Sequence, residues 1–378
     1  MNGILKLAFK LLINDKAKFS ALIVGITFAV FLMVQMTSLF SGILSKASAT
    51  VINIGAGIWV MDPSVQTVAN SIGMPDFVLD AVRSVKGVKY AVPLYTGSAL
   101  LKLPSGAYQA ANIVGLDDST LLGRPELVDG KIDDIYAENS FIAIDDSEFQ
   151  KLEHPHIGST FELNNHAGRI SGIAKVTSSG LFGVPTLYTT YNRALTYIPN
   201  PRFTISYVLV EPKAQDNIPG IKAAVAKLGY RALTDKEFTA MISDFYKYQT
   251  GIGMNILIMT VIAFIVGLSI SGQTFYTFIL ENLEKFGALK AIGATNNDLI
   301  AMILFQAGFT CLTGYGLGIG LCTLLIELAK LRLPEYAAMV TYTNLAMAFA
   351  MVLVIAASSS YIGVRRVLSI EPFDIFRS

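Results

Sequence analysis

The sequence has few charged residues: Asp, Glu, Lys and Arg make up 15% of its 378 residues, whereas about 25% is typical of soluble domains. Largely disordered chains and coiled coils need polar or charged sequence, so this shortage excludes both architectures. The net charge of +1 also argues against a nucleic-acid partner, because nucleic-acid-binding proteins carry concentrated basic surface.

Cysteine is also scarce, and Cys311 and Cys322 are the only two. They stand eleven residues apart in one apolar stretch, which corresponds to about 16 Å along a helix. That distance is too long for a disulfide. We expect both to be buried free thiols that act as small apolar side chains.

Four blocks of 27 to 33 residues contain no charged residue at all, namely 19–45, 248–280, 299–326 and 336–364. Each is longer than the roughly 20 residues that a helix needs to cross a bilayer. We therefore predict transmembrane helices at 19–45, 251–280, 299–326 and 342–364. The first block is about twice as long as the apolar part of a signal peptide, so we interpret it as a span rather than a cleaved leader.

Basic residues in the short connecting segments predict the orientation of these spans. Segments 1–18, 281–298 and 365–378 together hold nine Lys and Arg, whereas 327–335 holds two. We expect both termini and the 281–298 loop in the cytoplasm, with 46–247 and a short 327–341 loop outside. Separate basic and apolar stripes in 1–18 predict an amphipathic helix on the inner membrane surface.

The outer segment 46–247 is long enough to form its own core. Stretches rich in β-branched and aromatic residues predict strands at 58–61, 99–103, 109–114, 141–144, 160–163, 169–176 and 204–210, with helices at 75–85 and 218–228. The capping-box pattern Thr234-Asp235-Lys236-Glu237 starts a further helix, which we expect to continue straight into the second span. The predicted fold class is a membrane α-helical protein with four spans and a large mixed α+β extracytoplasmic domain between the first two.

The loop 281–298 carries the most informative short pattern. Its apolar residues recur at three-residue steps, and its charged residues supply a polar surface: Leu283, Phe286, Leu289 and Ile292, with Glu281, Glu284, Lys285 and Lys290. Gly293 is a suitable helix end. From these residues alone, a short helix resting on the membrane interface is the simplest interpretation.

The stretch from Glu281 or Glu284 to Thr295 also resembles a known family pattern. It is similar to the E-x-x-x-G/A-x-L-K/R-A-I/L-G-A-T segment that follows the second span in the FtsX/MacB family of ABC-transporter permeases. The tail from Arg365 to Arg377 resembles that family's ending, a basic pair followed by x-P-x-x-x-L-R, with Phe376 in the place of Leu. The layout of one span, a large external domain and three spans is also the family's.

This resemblance implies a permease subunit, closest in layout to the DevC, MacB and lipoprotein-releasing permeases of the bacterial inner membrane. The chain contains no G-x-x-x-x-G-K-[ST] motif, so ATP is expected to bind a separate cytoplasmic ABC ATPase, with no catalytic residue or cofactor here. The resemblance makes 281–292 a coupling helix, in which Phe286, Leu289 and Ile292 insert into the ATPase. Gly287 and Gly293 belong to the same motif, and Glu281, Glu284, Lys285 and Lys290 supply its polar surface.

The family also implies a mechanism of mechanotransmission, in which ATP-driven motion reaches the periplasmic MacB-like core domain. Expected partners are a second permease copy in a homodimer, a periplasmic membrane-fusion adaptor, an outer-membrane channel and membrane lipids. An FtsX-like signalling subunit that activates an extracytoplasmic partner, and a lipoprotein-extracting permease, remain open alternatives. Because the spans contain no ionisable side chain of Asp, Glu, Lys, Arg or His, a proton-driven transporter is disfavoured.

Small residues at helical spacing are candidates for close contact between spans. We single out Gly25, Gly267, Gly316 and Gly320, which serve either packing within the chain or dimerisation. The histidines His154, His156 and His166 lie close in sequence. A metal or haem contact is conceivable there, but we interpret them as surface loop residues and predict no metal site.

Overall fold

The computed structural model describes residues 2–176, 183–198, 205–333 and 335–368. These residues form two compact units. We call the first the helical unit, which combines residues 1–42 with 252–378, and the second the sheet unit, residues 43–251. The motif-bearing tail beyond residue 368 lies outside the described residues.

Helices form the first and the last parts of the chain that the structure describes. In chain order they are α1 Asn2–Asn14, α2 Lys16–Ala47, α3 Ala49–Ile54, α4 Phe77–Arg83, α5 Tyr191–Tyr197, α6 Ile218–Lys227, α7 Asp235–Asp244, α8 Gly251–Glu281, α9 Leu283–Ala291, α10 Asn296–Arg332 and α11 Tyr342–Leu368. Four of them, α2, α8, α10 and α11, are long and apolar enough to cross a membrane. The predicted membrane α-helical class with four spans is confirmed.

The start of α10 shows how local sequence sets a helix boundary. The Thr295 hydroxyl accepts a hydrogen bond from the Asp298 amide, and the Asp298 carboxylate accepts one from the Thr295 amide. This reciprocal capping box satisfies two of the amide groups that a helix leaves unpaired at its first turn. It separates α10 from α9 within a few residues.

The described residues of the sheet unit form ten strands. They are β1 Ile58–Met61, β2 Val88–Lys102, β3 Tyr108–Leu116, β4 Glu126–Gly130, β5 Ser140–Ile144, β6 Thr160–Leu163, β7 His166–Lys175, β8 Thr186–Thr190, β9 Tyr207–Pro212 and β10 Arg231–Leu233. Their order is β10-β1-β9-β2-β3-β8-β5-β7-β4, and β6 pairs with β2 and β7. The parallel pairs β3–β8 and β5–β7 make the sheet mixed, which confirms the predicted α+β domain.

Alternation along β1 divides the core between the two faces of the sheet. Ile58 and Val60 belong to a cluster with apolar residues of α4 and α6, whereas Trp59 belongs to one with Phe238 of α7. The Trp59 and Phe238 rings meet edge to face at 5.5 Å between centroids. The unit is therefore covered by helices on both faces at this end.

The expected continuous helix from 234 through the second span is wrong. Helix α7 ends at Asp244, residues Phe245–Gln249 form a π turn, and Thr250 is extended at φ −109° and ψ 155°. The Thr250 hydroxyl donates to the Tyr246 carbonyl at 2.8 Å. Such local side-chain bonds compete with regular helix bonding, and α8 starts anew at Gly251.

Candidate functional site

The candidate site is built around α9, the short helix that follows α8 after one residue. That residue, Asn282, is buried, and its side-chain amide donates to the Phe278 carbonyl at 2.8 Å. The Lys285 ammonium donates to the Asn282 side-chain oxygen, also at 2.8 Å. At the other end, Gly293 adopts φ +107°, a conformation that favours glycine, and stops the helix.

One face of α9 is part of the core of the helical unit. Phe286 is fully buried, Gly287 is buried, and Leu289 is half-buried. Phe286 belongs to an apolar cluster with residues of α1, α2, α8, α10 and α11, including Leu12 and Leu299. The expectation that Phe286 inserts into an ATPase is therefore corrected, because its ring is already enclosed by its own chain.

The opposite face of α9 is open. Glu284, Lys285 and Ala288 are exposed, and Ile292 just beyond the helix is 85% exposed. Lys290 is half-buried. The structure thus brings Glu284, Lys285 and Ile292 to the accessible surface and leaves Phe286, Gly287 and most of Leu289 behind it.

Glu281 has a partner that sequence reasoning missed. The Lys18 ammonium pairs with the Glu281 carboxylate and lies 2.9 Å from the Asp15 carboxylate. Hydrogen bonds from Lys18 lower the pKa of Asp15. The only sequence signal for this trio was Asp15 between two helical stretches with Lys18 three residues later. The ion pair links the start of α2 to the end of α8, immediately before α9.

Helix α1 supports the same region from the other side. Ala8 and Leu12 are fully buried, and the Gln306 side-chain amide of α10 donates to the Ala8 carbonyl at 2.9 Å. The rings of Phe9 and Phe309 meet edge to face at 5.1 Å. We expected the apolar stripe of this segment to lie on the membrane surface; instead it contacts protein.

The predicted packing glycines separate into two groups. A Cβ at Gly25 would lie 2.6 Å from Ile270, and one at Gly267 would overlap Ala29, so both glycines are at tight contacts between α2 and α8. Gly316 and Gly320 are exposed, and a Cβ at either would have no described heavy atom within 4 Å. The α10 glycines that contact α2 are Gly314 and Gly318, which adjoin Ile26 and Val30.

The three histidines are not brought together as a ligand set. His154 contacts Phe149, the His156 ring is 3.0 Å from the Ser159 hydroxyl, and the ring of His166 lies 4.9 Å from that of Tyr197. Across the described ranges, no group of three His, Cys, Asp or Glu residues has the arrangement of a metal site. Both cysteines are buried and free.

Two family descriptions match this chain. Residues 20–228, more than half of the sequence, match the MacB-like periplasmic core domain, and residues 256–372 match the FtsX-like permease C-terminal part. The second match includes α9 and all of its exposed residues. The first includes most of the sheet unit.

Individual proteins are also similar to this chain. An uncharacterized ABC transporter permease of Mycobacterium tuberculosis is 24% identical over 355 residues, 93% of each chain. The macrolide export ATP-binding/permease protein MacB of Agrobacterium fabrum is 24% identical over 304 residues, 76% of this chain and 46% of that protein. The solved periplasmic region of MacB from Actinobacillus actinomycetemcomitans covers 50% of this chain and 95% of its own, with 13% identity and a TM-score of 0.38.

Proposed function

The chain belongs to the ABC-transporter permeases that combine an FtsX-like C-terminal part with a MacB-like periplasmic core domain, and from this premise we propose that it is the permease subunit of an exporter. Its ATPase is a separate cytoplasmic protein, and the permease itself catalyses no reaction. The permease is a multi-pass protein of the bacterial inner membrane with both termini in the cytoplasm. The sheet unit then works in the periplasm.

The exposed face of α9 is the observation that carries this proposal. A docking helix has to present accessible side chains while staying firmly attached to its own subunit. Ile292 offers an apolar anchor that is 85% exposed, and exposed Glu284 and Lys285 add charge about two helical turns earlier. The buried Phe286 and the Lys18–Glu281 ion pair fix the helix to the permease.

Force applied to α9 reaches the membrane helices directly in this mechanism. The single residue Asn282 connects α8 to α9, so the connection is short. The hydrogen bond from its buried side-chain amide to the Phe278 carbonyl holds this connection against α8. ATP binding closes the two ATPase subunits and displaces α9 together with the core around Phe286. The second span passes the displacement to the periplasmic unit, so the cargo needs no path between the spans.

The MacB-like domain is the basis for the assembly that we propose around this subunit. Two copies of the permease serve two ATPase subunits, and the periplasmic units engage a membrane-fusion adaptor and an outer-membrane channel. Exposed Gly316 and Gly320 on α10 leave a smooth helix surface where a neighbouring helix can approach closely. Membrane lipids cover the remaining apolar surface.

The experiment that tests the docking role substitutes Ile292→Asp and measures co-purification with the cognate ATPase. A charge at the apolar anchor should reduce the recovered ATPase at least tenfold, because such an anchor is desolvated in a formed interface. The matched control is Leu331→Asp. Leu331 is 79% exposed and lies at the C-terminal end of α10, the helix whose N-terminal end follows Ile292. The control should retain the ATPase.

The assignment of α9 fails if Ile292→Asp retains the ATPase at the wild-type level. It also fails if Leu331→Asp loses the ATPase equally, because that result would place docking elsewhere or indicate a general effect of added charge. Monodisperse elution of both variants establishes that the permease remains folded.

A further inference from the structure

A pocket on the surface of the helical unit has no role in the function proposed above. It lies between α8 and α11 and has a volume of about 280 Å³. Five residues line it: Tyr276, Tyr361, Ile362, Arg365 and Arg366. Two of them are arginines, and none is acidic.

The lining residues are ordered by depth along α11. Arg365 follows Tyr361 by four residues, and Arg366 follows Ile362 by four, so each pair shares one face of the helix. A step of four residues places the Cα atoms of the arginines about 6 Å further along the helix than those of Tyr361 and Ile362. The arginines occupy the last turn of α11, outside the uncharged block 336–364.

The pocket is held by a close contact between regular helices. A Cβ at Gly363 of α11 would overlap Ile279 of α8. This approach brings α11 next to the α8 turn that carries Tyr276. Since Ile279 and Gly363 are both buried, the walls of the pocket are fixed by the core rather than by a loop.

We propose that this pocket binds the phosphate head group of an anionic phospholipid. Guanidinium groups match phosphate oxygens in charge and in hydrogen-bond geometry. Exposed tyrosines are favoured at the level of lipid head groups, and an acyl chain can follow Ile362 toward the apolar part of α11. Basic pockets between membrane helices are suited to anionic head groups.

The side of the membrane follows from the chain itself. Arg365 and Arg366 end α11, and the nearby end of α8 carries Glu281, which pairs with Lys18 of the N-terminal segment. The pocket therefore belongs to the leaflet on the side of the lysine-rich N-terminus. In the proposed orientation this is the cytoplasmic leaflet, but lipid binding does not depend on the identity of the ATPase.

Native mass spectrometry of the full-length permease tests the proposal. The protein in neutral detergent is incubated with an equimolar mixture of phosphatidylglycerol and phosphatidylcholine, and the ratio of bound lipids is measured. Wild type should prefer phosphatidylglycerol. Arg365→Gln should reduce the preference about fivefold, because one basic residue near a membrane surface contributes a factor of that size, and adding Arg366→Gln should reduce it further.

Two control variants separate the pocket from general effects. Lys6→Gln with Lys10→Gln removes two exposed charges from α1, and Tyr342→Ala removes a tyrosine 92% exposed at the opposite end of α11. Both should keep the preference, whereas Tyr361→Ala should weaken it. A photoactivatable phosphatidylglycerol should crosslink to the peptide that contains Tyr361 and Ile362.

Three results would overturn the proposal. The first is an unchanged lipid ratio in the double arginine variant. The second is an equal loss in the Lys6 and Lys10 variant, which would indicate total charge rather than a site. The third is displacement of phosphatidylglycerol by millimolar inorganic phosphate, which would identify a soluble anion as the ligand.

Discussion

At the scale of single residues, helix geometry explains why Phe286 and Ile292 have different environments. A helix turns about 100° per residue, so a step of three residues drifts backward by about 60°. Over the six residues from Phe286 to Ile292 the drift is about 120°. The apolar pattern that predicted one docking stripe therefore turns from the core at Phe286 to the exposed surface at Ile292.

Truncation of these two residues should have opposite consequences. Phe286→Ala should destabilise the permease by about 3 kcal/mol, because it leaves a cavity in a closed core. Ile292→Ala should change stability by less than about 0.5 kcal/mol, as at other exposed positions. Thermal unfolding in detergent measures both, and equal melting temperatures would contradict the assignment of buried and exposed faces.

The Glu237 carboxylate makes the start of α7 sensitive to pH. It accepts hydrogen bonds from the Lys222 ammonium at 2.6 Å and from the Thr234 amide at 2.9 Å, and these lower its pKa. Because the pKa of Glu237 is lower in the folded protein, its ionised form stabilises the fold. This stabilisation is fully present at pH values above the unfolded-state pKa of about 4.3, and it is lost as the pH falls through the folded-state pKa.

Hydrogen exchange of the α7 amides should report this loss. Wild-type protection should fall between about pH 5 and pH 3, and Glu237→Gln should remove the pH-dependent part while keeping the capping geometry. The effect is modest, below about 1 kcal/mol, because the ion pair is exposed. An unchanged pH dependence in Glu237→Gln would assign it to another group.

At the scale of elements, sequence patterns predicted strands that are rich in β-branched and aromatic residues and missed exposed or very short ones. The predictions at 58–61 and 160–163 coincide with β1 and β6, and the predicted helix at 218–228 is α6 with one residue more. Strand β4, Glu126–Gly130, is almost entirely exposed, and β10 has three residues. Neither has enough buried side chains to produce a recognisable period.

The long strand β2 was predicted only in part, for a related reason. Its first half is nearly all buried, and Pro93 interrupts the pattern of a central strand. Helix α5, Tyr191–Tyr197, was missed because it follows β8 directly, with no turn residue to separate the two elements. For the candidate site, the sequence located α9, but the choice of exposed face depended on which neighbours the fold places against Phe286.

The helix contacts of α2 give a matched pair of glycine substitutions. Gly267→Leu should destabilise the permease by about 1 to 3 kcal/mol, because α8 then collides with Ala29 of α2. Gly316→Leu should leave the stability of the single chain nearly unchanged, since no described atom lies within reach of its Cβ. Thermal unfolding of the separated monomer compares the two, and a larger effect at Gly316 would contradict this packing.

At the scale of the whole molecule, the chain combines two kinds of sequence, uncharged apolar blocks and segments with ordinary charge. The four uncharged blocks form the spanning helices, and the charged residues lie in the sheet unit and the short connections. Sequence hydropathy is sufficient for this division because a membrane helix must satisfy its backbone internally and cover it with apolar side chains. Hydropathy does not predict the break in the helix before α8, because the π turn at Phe245–Gln249 depends on local hydrogen bonding.

The proposed mechanism gives this connection a testable role, because the second span is the element proposed to move the sheet unit. If the second span transmits force to the sheet unit, two glycines inserted after Gln249 should uncouple the units, because glycine lowers the stiffness of the backbone. The two native cysteines are buried in α10, so a cysteine at exposed Val128 of the sheet unit provides a selective labelling site. In the complex with its ATPase, ATP should change the labelling rate at this position several-fold.

The insertion after Gln249 should abolish this ATP response while ATPase binding persists. The same two glycines inserted after Gly106, in the exposed turn between β2 and β3, should preserve it. The control separates a broken transmission path from a general disturbance, because both insertions lengthen the chain equally. A full ATP response in the Gln249 insertion would show that motion reaches the sheet unit by another route, such as α2, whose helix continues without a break to Ala47.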